Sequence, residues 1–106
     1  MQIRLHKLPS QAQLIKLTKE VCSLLNKPTS AMLLDVQQSN VTMGEQNGAV
    51  CHIYSAALNE NNQPKLSKCI GETLKALDID YKNHYIFFHK MSPTDIGWNL
   101  SLKSIL

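Results

Sequence analysis

Six residues, Leu66, Cys69, Ile70, Thr73, Leu74 and Leu77, recur at i, i+3, i+4, i+7, i+8 and i+11. That is the spacing of one face of an α-helix, and it is the clearest amphipathic signal in the chain. Such a face must be buried against another layer of structure. Asn59-Glu60-Asn61-Asn62 reads as the turn before it, and Pro64 suits the first helical turn. A second stripe, Leu14, Leu17, Val21, Leu24 and Leu25, widened by Ile15 and Cys22, predicts another helix. Ser10-Gln11-Ala12-Gln13 reads as its capping box, with Ser10 as N-cap and Gln13 reaching back. Asn26 suits a left-handed residue at its end, and Pro28 prevents its continuation.

The remaining apolar pattern has the period of strands. Residues 2–8 alternate, with Ile3 and Leu5 on one face. Ala31 to Val36 reads as a second strand. Gln37 to Asn47 is polar, contains Gly44, and reads as a loop with a brief strand near Val41–Met43. Gly48 to Leu58 reads as a longer strand, with Val50, Cys51, Ile53 and Tyr54 favouring extended backbone. Asp78 to Lys82 is a turn, Tyr85 to Phe88 a fourth strand, Ser92 to Asp95 a turn, and residues 98–104 a short terminal strand.

The order is β-α-β followed by β-α-β: a single α/β (α+β) domain over 1–106, with a four-stranded mixed sheet and two helices on one face. Right-handed crossovers place both helices on the same side. Two helices about 10 Å across suffice for four strands about 4.8 Å apart, so nothing is left for the opposite face. The second and fourth strands are apolar on both sides, so that face is not wholly polar. Another copy of the chain is therefore expected to cover it.

Composition narrows function by exclusion. The formal net charge is +3, but no Lys or Arg stripe forms, so no nucleic-acid partner is expected. No run approaches the length needed to span a bilayer, and residues 1–6 lack a signal pattern. The reading is a cytoplasmic protein without a membrane partner, with release from the cell requiring a route that uses no signal peptide. Cys22, Cys51 and Cys69 are odd in number and widely spaced, which predicts reduced, buried thiols. His84 and His89 fall on opposite faces of one strand, and there is no His-x-x-x-His or cysteine cluster, so neither metal nor other cofactor is expected. No Gly-rich phosphate loop is present.

Several segments resemble macrophage migration inhibitory factor and its relatives in the tautomerase superfamily. Leu14 to Thr18 through Asn26-Lys27-Pro28 resembles the family's first helix and its Gly-Lys-Pro exit. Val50-Cys51 through Ser55 resembles its central strand. Gln63 to Asn99 follows it without a gap, including His84-Tyr85-Ile86 and the distinctive Gly97-Trp98-Asn99. The resemblance implies a homotrimer of βαβ-βαβ subunits, with three sheets around a central channel. It also implies keto–enol isomerisation of small α-keto acids or aromatic compounds of the phenylpyruvate or dopachrome type, with an N-terminal proline as general base.

The departures matter as much as the matches. The chain begins Met1-Gln2, so the family's proline is absent. The base would be the primary α-amine of Met1, with an ordinary pKa of about 7.7–8.0 and a neutral fraction of roughly one-tenth at pH 7. The resemblance makes Lys27 the substrate-carboxylate lysine and a cation that discourages protonation of the amine; the structural alternative is a lysine favoured by the helix macrodipole. Ser55-Ala56-Ala57 stands at the family's Ser-Ile-Gly, where a backbone N–H binds carboxylate; Ser55 matches, while Ala56 and Ala57 do not. Tyr85 matches a pocket tyrosine given by a neighbouring subunit, or is a half-buried strand residue. Phe87 replaces an Asn. Ile96 and Trp98 match the pocket rim, although a single Trp is also common in cores and interfaces. The family's Cys-x-x-Cys is reduced to Cys51, which removes dithiol redox chemistry.

Three readings follow. The first expectation is a degenerate tautomerase with weak or no isomerase activity, a pseudoenzyme acting as a trimeric binding or cytokine-like factor toward a small ligand or a protein receptor. The alternative is an active tautomerase using the Met1 α-amine. The third sets the family aside: β-α-β-β-α-β also describes ferredoxin-like ligand- or RNA-binding modules, but Ile86-Phe87-Phe88 lacks the Gly-basic context of RNA readers.

Overall fold

The computed structural model describes residues 1–98 and 100–102. Strand β1 (Gln2–Leu5) leads to helix α1 (Gln11–Leu24), a 3-10 turn (Thr29–Ala31) and strand β2 (Asp35–Gln38). A small hairpin, β3 (Thr42–Met43) and β4 (Gln46–Asn47), precedes β5 (Ala49–Ser55). Helix α2 (Asn62–Lys75) follows, then β6 (His84–Lys90), a 3-10 turn (Pro93–Asp95), and the short pair β7 (Gly97–Trp98) and β8 (Ser101–Leu102).

The main sheet has the order β2-β1-β5-β6. β1 pairs parallel with β2, β5 parallel with β6, and the two units join through the antiparallel β1–β5 ladder. This is the mixed βαβ-βαβ sheet expected from the sequence. Ile3, Leu5, Ala49, Cys51 and Ile53 point to one side, where they form a single core with Leu17 and Val21 of α1 and Leu66, Cys69, Ile70 and Leu74 of α2. The helices pack on each other as well as on the sheet.

Local signals set the ends of α1. Ser10 Oγ accepts from Gln13 N–H, and Gln13 Oε1 accepts from Ser10 N–H, which is the reciprocal capping box. At the other end Asn26 takes φ +54°. Lys27 N–H donates to Cys22 O at 2.9 Å, and Asn26 N–H to Ser23 O at 3.2 Å. These two bonds form a Schellman motif, which fixes where Lys27 leaves the helix. Before α2, Asn62 is buried but satisfied: its Oδ1 accepts from Asn59 N–H and its Nδ2 donates to Ala57 O. Gly48, just before β5, is required sterically, because a Cβ there would lie 2.9 Å from Asn83 O.

Several boundaries differ from expectation. The strand predicted over 2–8 ends at Leu5, where both neighbours also stop, at Gln38 and Ala49. The strand predicted over 31–36 is instead a 3-10 turn followed by β2 from Asp35, because β1 offers its first ladder partner at Gln2. Within the polar stretch 37–47 the brief strand expected near Val41–Met43 is present as β3, and it pairs with β4 in a hairpin around Gly44, which has φ +62°. The strand predicted over 48–58 stops at Ser55, where a turn begins. Of the terminal strand predicted over 98–104, Trp98 pairs with Ser101; residues 99, 103 and 104 lie outside the described residues.

The uncovered sheet face is also composed differently from expectation. At β2 it presents Asp35 and Gln37, which are polar. Its apolar character comes from β5 and β6: Val50, Tyr54, Tyr85 and Phe87, with His52 and His89 among them. Tyr54, Tyr85 and Phe87 are 47%, 59% and 45% exposed, large values for rings on a central sheet.

Candidate active site

At one end of the sheet a cavity of about 350 Å³ opens among Met1, the C-terminal end of α1, residues 31–33, the end of β5, and the segment from Pro93 to Ile96. Its residues arrive by separate routes. β1 begins at Gln2, so Met1 stands at the mouth. The Schellman turn directs Lys27 to the rim. β5 ends at Ser55, which places Ser55 and Ala56 on the wall.

Met1 is held through both its backbone groups. Its α-amine donates to Leu33 O at 2.6 Å, and its carbonyl accepts from Asp35 N–H at 2.9 Å. Burial among apolar neighbours lowers the amine's pKa from the ordinary 8.0, because the charged form loses water there. Two nearby acids oppose this shift, Cys51 and Asp35. Cys51 is itself pushed up to about 12 by burial, so near neutral pH it is a thiol, and the Asp35 carboxylate is the opposing charge that remains. Lys27 was expected to discourage protonation of the amine; the lowering instead comes from burial, and Lys27 is not among its causes.

Around the amine the wall is apolar: Val21, Leu25, Ala31, Met32, Leu33, Ile53, Pro93 and Ile96. Cys22 Sγ lies 3.6 Å from Met32 Sδ on the same wall. Polar contributions are few: the amine, Gln2, Lys27, Tyr54 and Ser55. Ser55 Oγ accepts from Ala57 N–H at 3.1 Å, and Ser55 O accepts from Met91 N–H, so this turn is held from both sides. An apolar cavity with a few convergent polar groups suits a small organic anion. An amine whose pKa is lowered by burial, with a lysine on the same rim, can move a proton from carbon beside a bound carboxylate.

Five of the residues singled out in the sequence, Met1, Lys27, Ser55, Ala56 and Ile96, share this cavity. Tyr85 and Phe87 do not line it; they stand on the uncovered sheet face of their own chain. Trp98 lies in β7, also outside the lining, and is about half exposed. Sequence reasoning did not find Leu25, Met32, Leu33, Tyr54 or Pro93. The apolarity of residues 31–34 was a visible signal, but it reads equally well as a strand.

Among the described residues no helix is long and apolar enough to cross a membrane, and no three His, Cys, Asp or Glu residues gather as metal ligands do. No protein-family model and no curated protein matches the sequence. Solved structures do match. A macrophage migration inhibitory factor homologue from Prochlorococcus marinus superposes with TM-score 0.84 at 20% identity, covering 95% of this chain and 96% of that one. A macrophage migration inhibitory factor-like protein from Entamoeba histolytica gives 0.79 at 22% identity, covering 95% of each chain. A fused 4-OT asymmetric trimer gives 0.72 at 14% identity, covering 98% of this chain and 95% of that one. The chain thus has the fold of the macrophage migration inhibitory factor homologues in the tautomerase superfamily.

Proposed function

We propose that this protein is a slow keto–enol tautomerase acting on small aromatic α-keto acids, with the Met1 α-amine as general base. The observation that carries the reading is the placement of that amine: in an apolar cavity, lowered by burial, with Lys27 on the same rim. The substrate carboxylate pairs with the Lys27 ammonium and the backbone near Ala56. The aromatic ring occupies the wall formed by Val21, Met32 and Ile96. The neutral amine removes the proton from the carbon next to the keto group, and the resulting ammonium returns a proton to the enolate oxygen. The rate is low for two reasons. The amine is primary rather than the family's secondary amine, and its hydrogen bond to Leu33 O must be given up or shared during proton transfer.

The active unit is a homotrimer. The uncovered face of β5 and β6, with Tyr54, Tyr85 and Phe87 exposed, supports this, as does the likeness to a fused 4-OT that is a trimer. In that assembly Tyr85 and Phe87 of one subunit reach the cavity of the next, and Phe87 makes the site more apolar than an Asn would.

Enolisation of phenylpyruvate, followed on protein whose N-terminus is verified by intact mass, tests the proposal. Lys27→Ala is expected to raise KM about tenfold, the equivalent of about 1.4 kcal/mol of carboxylate binding, and to change kcat less. No enolisation by the wild-type chain, or a mature N-terminus other than Met1, would end the proposal. An inert protein that still binds phenylpyruvate would leave the reading of a trimeric binding factor, which the altered Ser55-Ala56-Ala57 turn favours.

A further inference from the structure

The Met1 α-amine is primary, where a proline's amine is secondary. In its neutral form it carries two N–H bonds and a lone pair. One N–H donates to Leu33 O at 2.6 Å, which leaves the lone pair available. Burial lowers the pKa of the amine, so more of it is neutral near pH 7 than of an ordinary α-amine. A primary amine desolvated among apolar side chains is the form of nitrogen that attacks a carbonyl carbon. Val21, Leu25, Met32 and Ile53 supply those side chains, and Lys27 stands on the same rim.

We propose that this amine is also a nucleophile, which captures small aldehyde- and keto-carboxylates as an imine on Met1. The inference rests on the reading above for the pairing of the carboxylate with Lys27, and adds to it a bond from nitrogen to carbon. The lone pair attacks the carbonyl carbon, a C–N bond forms, and the C=O π pair moves to oxygen, which takes a proton from the nitrogen. The hydroxyl of this carbinolamine leaves as water with one proton from solvent, while the nitrogen lone pair closes the C=N bond. One water is released, and the product is an iminium with a single N–H. That N–H keeps Leu33 O as its acceptor. An iminium made from a secondary amine has no N–H to give, so the contact that slows proton transfer suits a primary amine acting on carbon. Asp35, whose charge favours the ammonium, favours the iminium cation for the same reason. A cavity of about 350 Å³ admits such a small ligand.

Glyoxylate separates the two roles of the lone pair: it has a carboxylate and an aldehyde carbon, and no carbon that can enolise. The full chain is treated with glyoxylate and sodium cyanoborohydride near neutral pH, then read by intact mass and by mapping of the N-terminal peptide. Cyanoborohydride gives hydride to the iminium carbon and so fixes a carboxymethyl group on the nitrogen. One such group per chain is expected, on Met1 and ahead of the lysines, whose ordinary pKa is about 10.4. Any free α-amine reacts slowly in this way, so the deciding comparison is with the chain unfolded in urea. There Met1 should label at least about tenfold more slowly, because the carbonyl is no longer held beside it. Lys27→Ala in the folded chain should slow labelling about tenfold, matching the carboxylate binding lost. Folded Met1 labelling no faster than unfolded, lysines labelling first, or an undiminished rate in Lys27→Ala would overturn the proposal. The two readings fail separately. A chain that enolises phenylpyruvate but gains nothing in labelling on folding has only the base, and one that labels but does not enolise has only the nucleophile.

Discussion

Acetylation of the Met1 α-amine is expected to reduce phenylpyruvate enolisation by about 100- to 10,000-fold, the range a positioned general base contributes. The amide that results has no basic lone pair, so the cavity keeps its shape and loses its base. Selectivity is attainable because burial lowers the α-amine below its ordinary 8.0, while ordinary lysines titrate near 10.4. Lys27 remains charged in the modified protein, so ligand binding should persist while turnover falls. A loss of binding in step with turnover would instead mean that the reagent blocked the cavity. Changing Met1 to proline, behind an initiator methionine that is then removed, provides the converse. A secondary amine at the same place should raise the rate above wild type.

Leu66→Ala should have the largest effect on stability. Leu66 is fully buried at the centre of α2, in the core that joins both helices to the sheet. Truncating such a leucine removes buried apolar surface and leaves a cavity, which costs about 2–5 kcal/mol. A domain of this size has roughly 5–15 kcal/mol in total, so chemical denaturation should show a large fall in midpoint with little change in slope. The neighbouring Lys65→Ala, on the exposed side of the same helix, should change the stability by less than about 0.5 kcal/mol. If the two variants matched, the stripe from Leu66 to Leu77 would not be the core.

The fold was legible where a signal had one physical meaning. The α2 stripe, the Ser10–Gln13 box and Asn26 each fix a local structure, and each appears as read. Residues 31–36 were misread because an apolar run signals burial without signalling by what. Here Ala31, Met32 and Leu33 line a cavity and only Asp35 onward pairs with β1. The site was legible in part. The resemblance gave Met1, Lys27, Ser55, Ala56 and Ile96, and the structure gathers them at one cavity. It could not give the cause of the amine's lowered pKa, which is burial between distant segments rather than the adjacent lysine.

The pH dependence of kcat/KM for phenylpyruvate enolisation bears most directly on the proposed base. A base active in its neutral form gives a rate that rises tenfold per pH unit and levels above the amine's pKa. Burial lowers that pKa, so the plateau should be reached through a single ionisation centred below 8.0, and acetylation should remove it. A midpoint at or above 8.0, or a rate unchanged by blocking the amine, would show that Met1 is not the group that takes the proton.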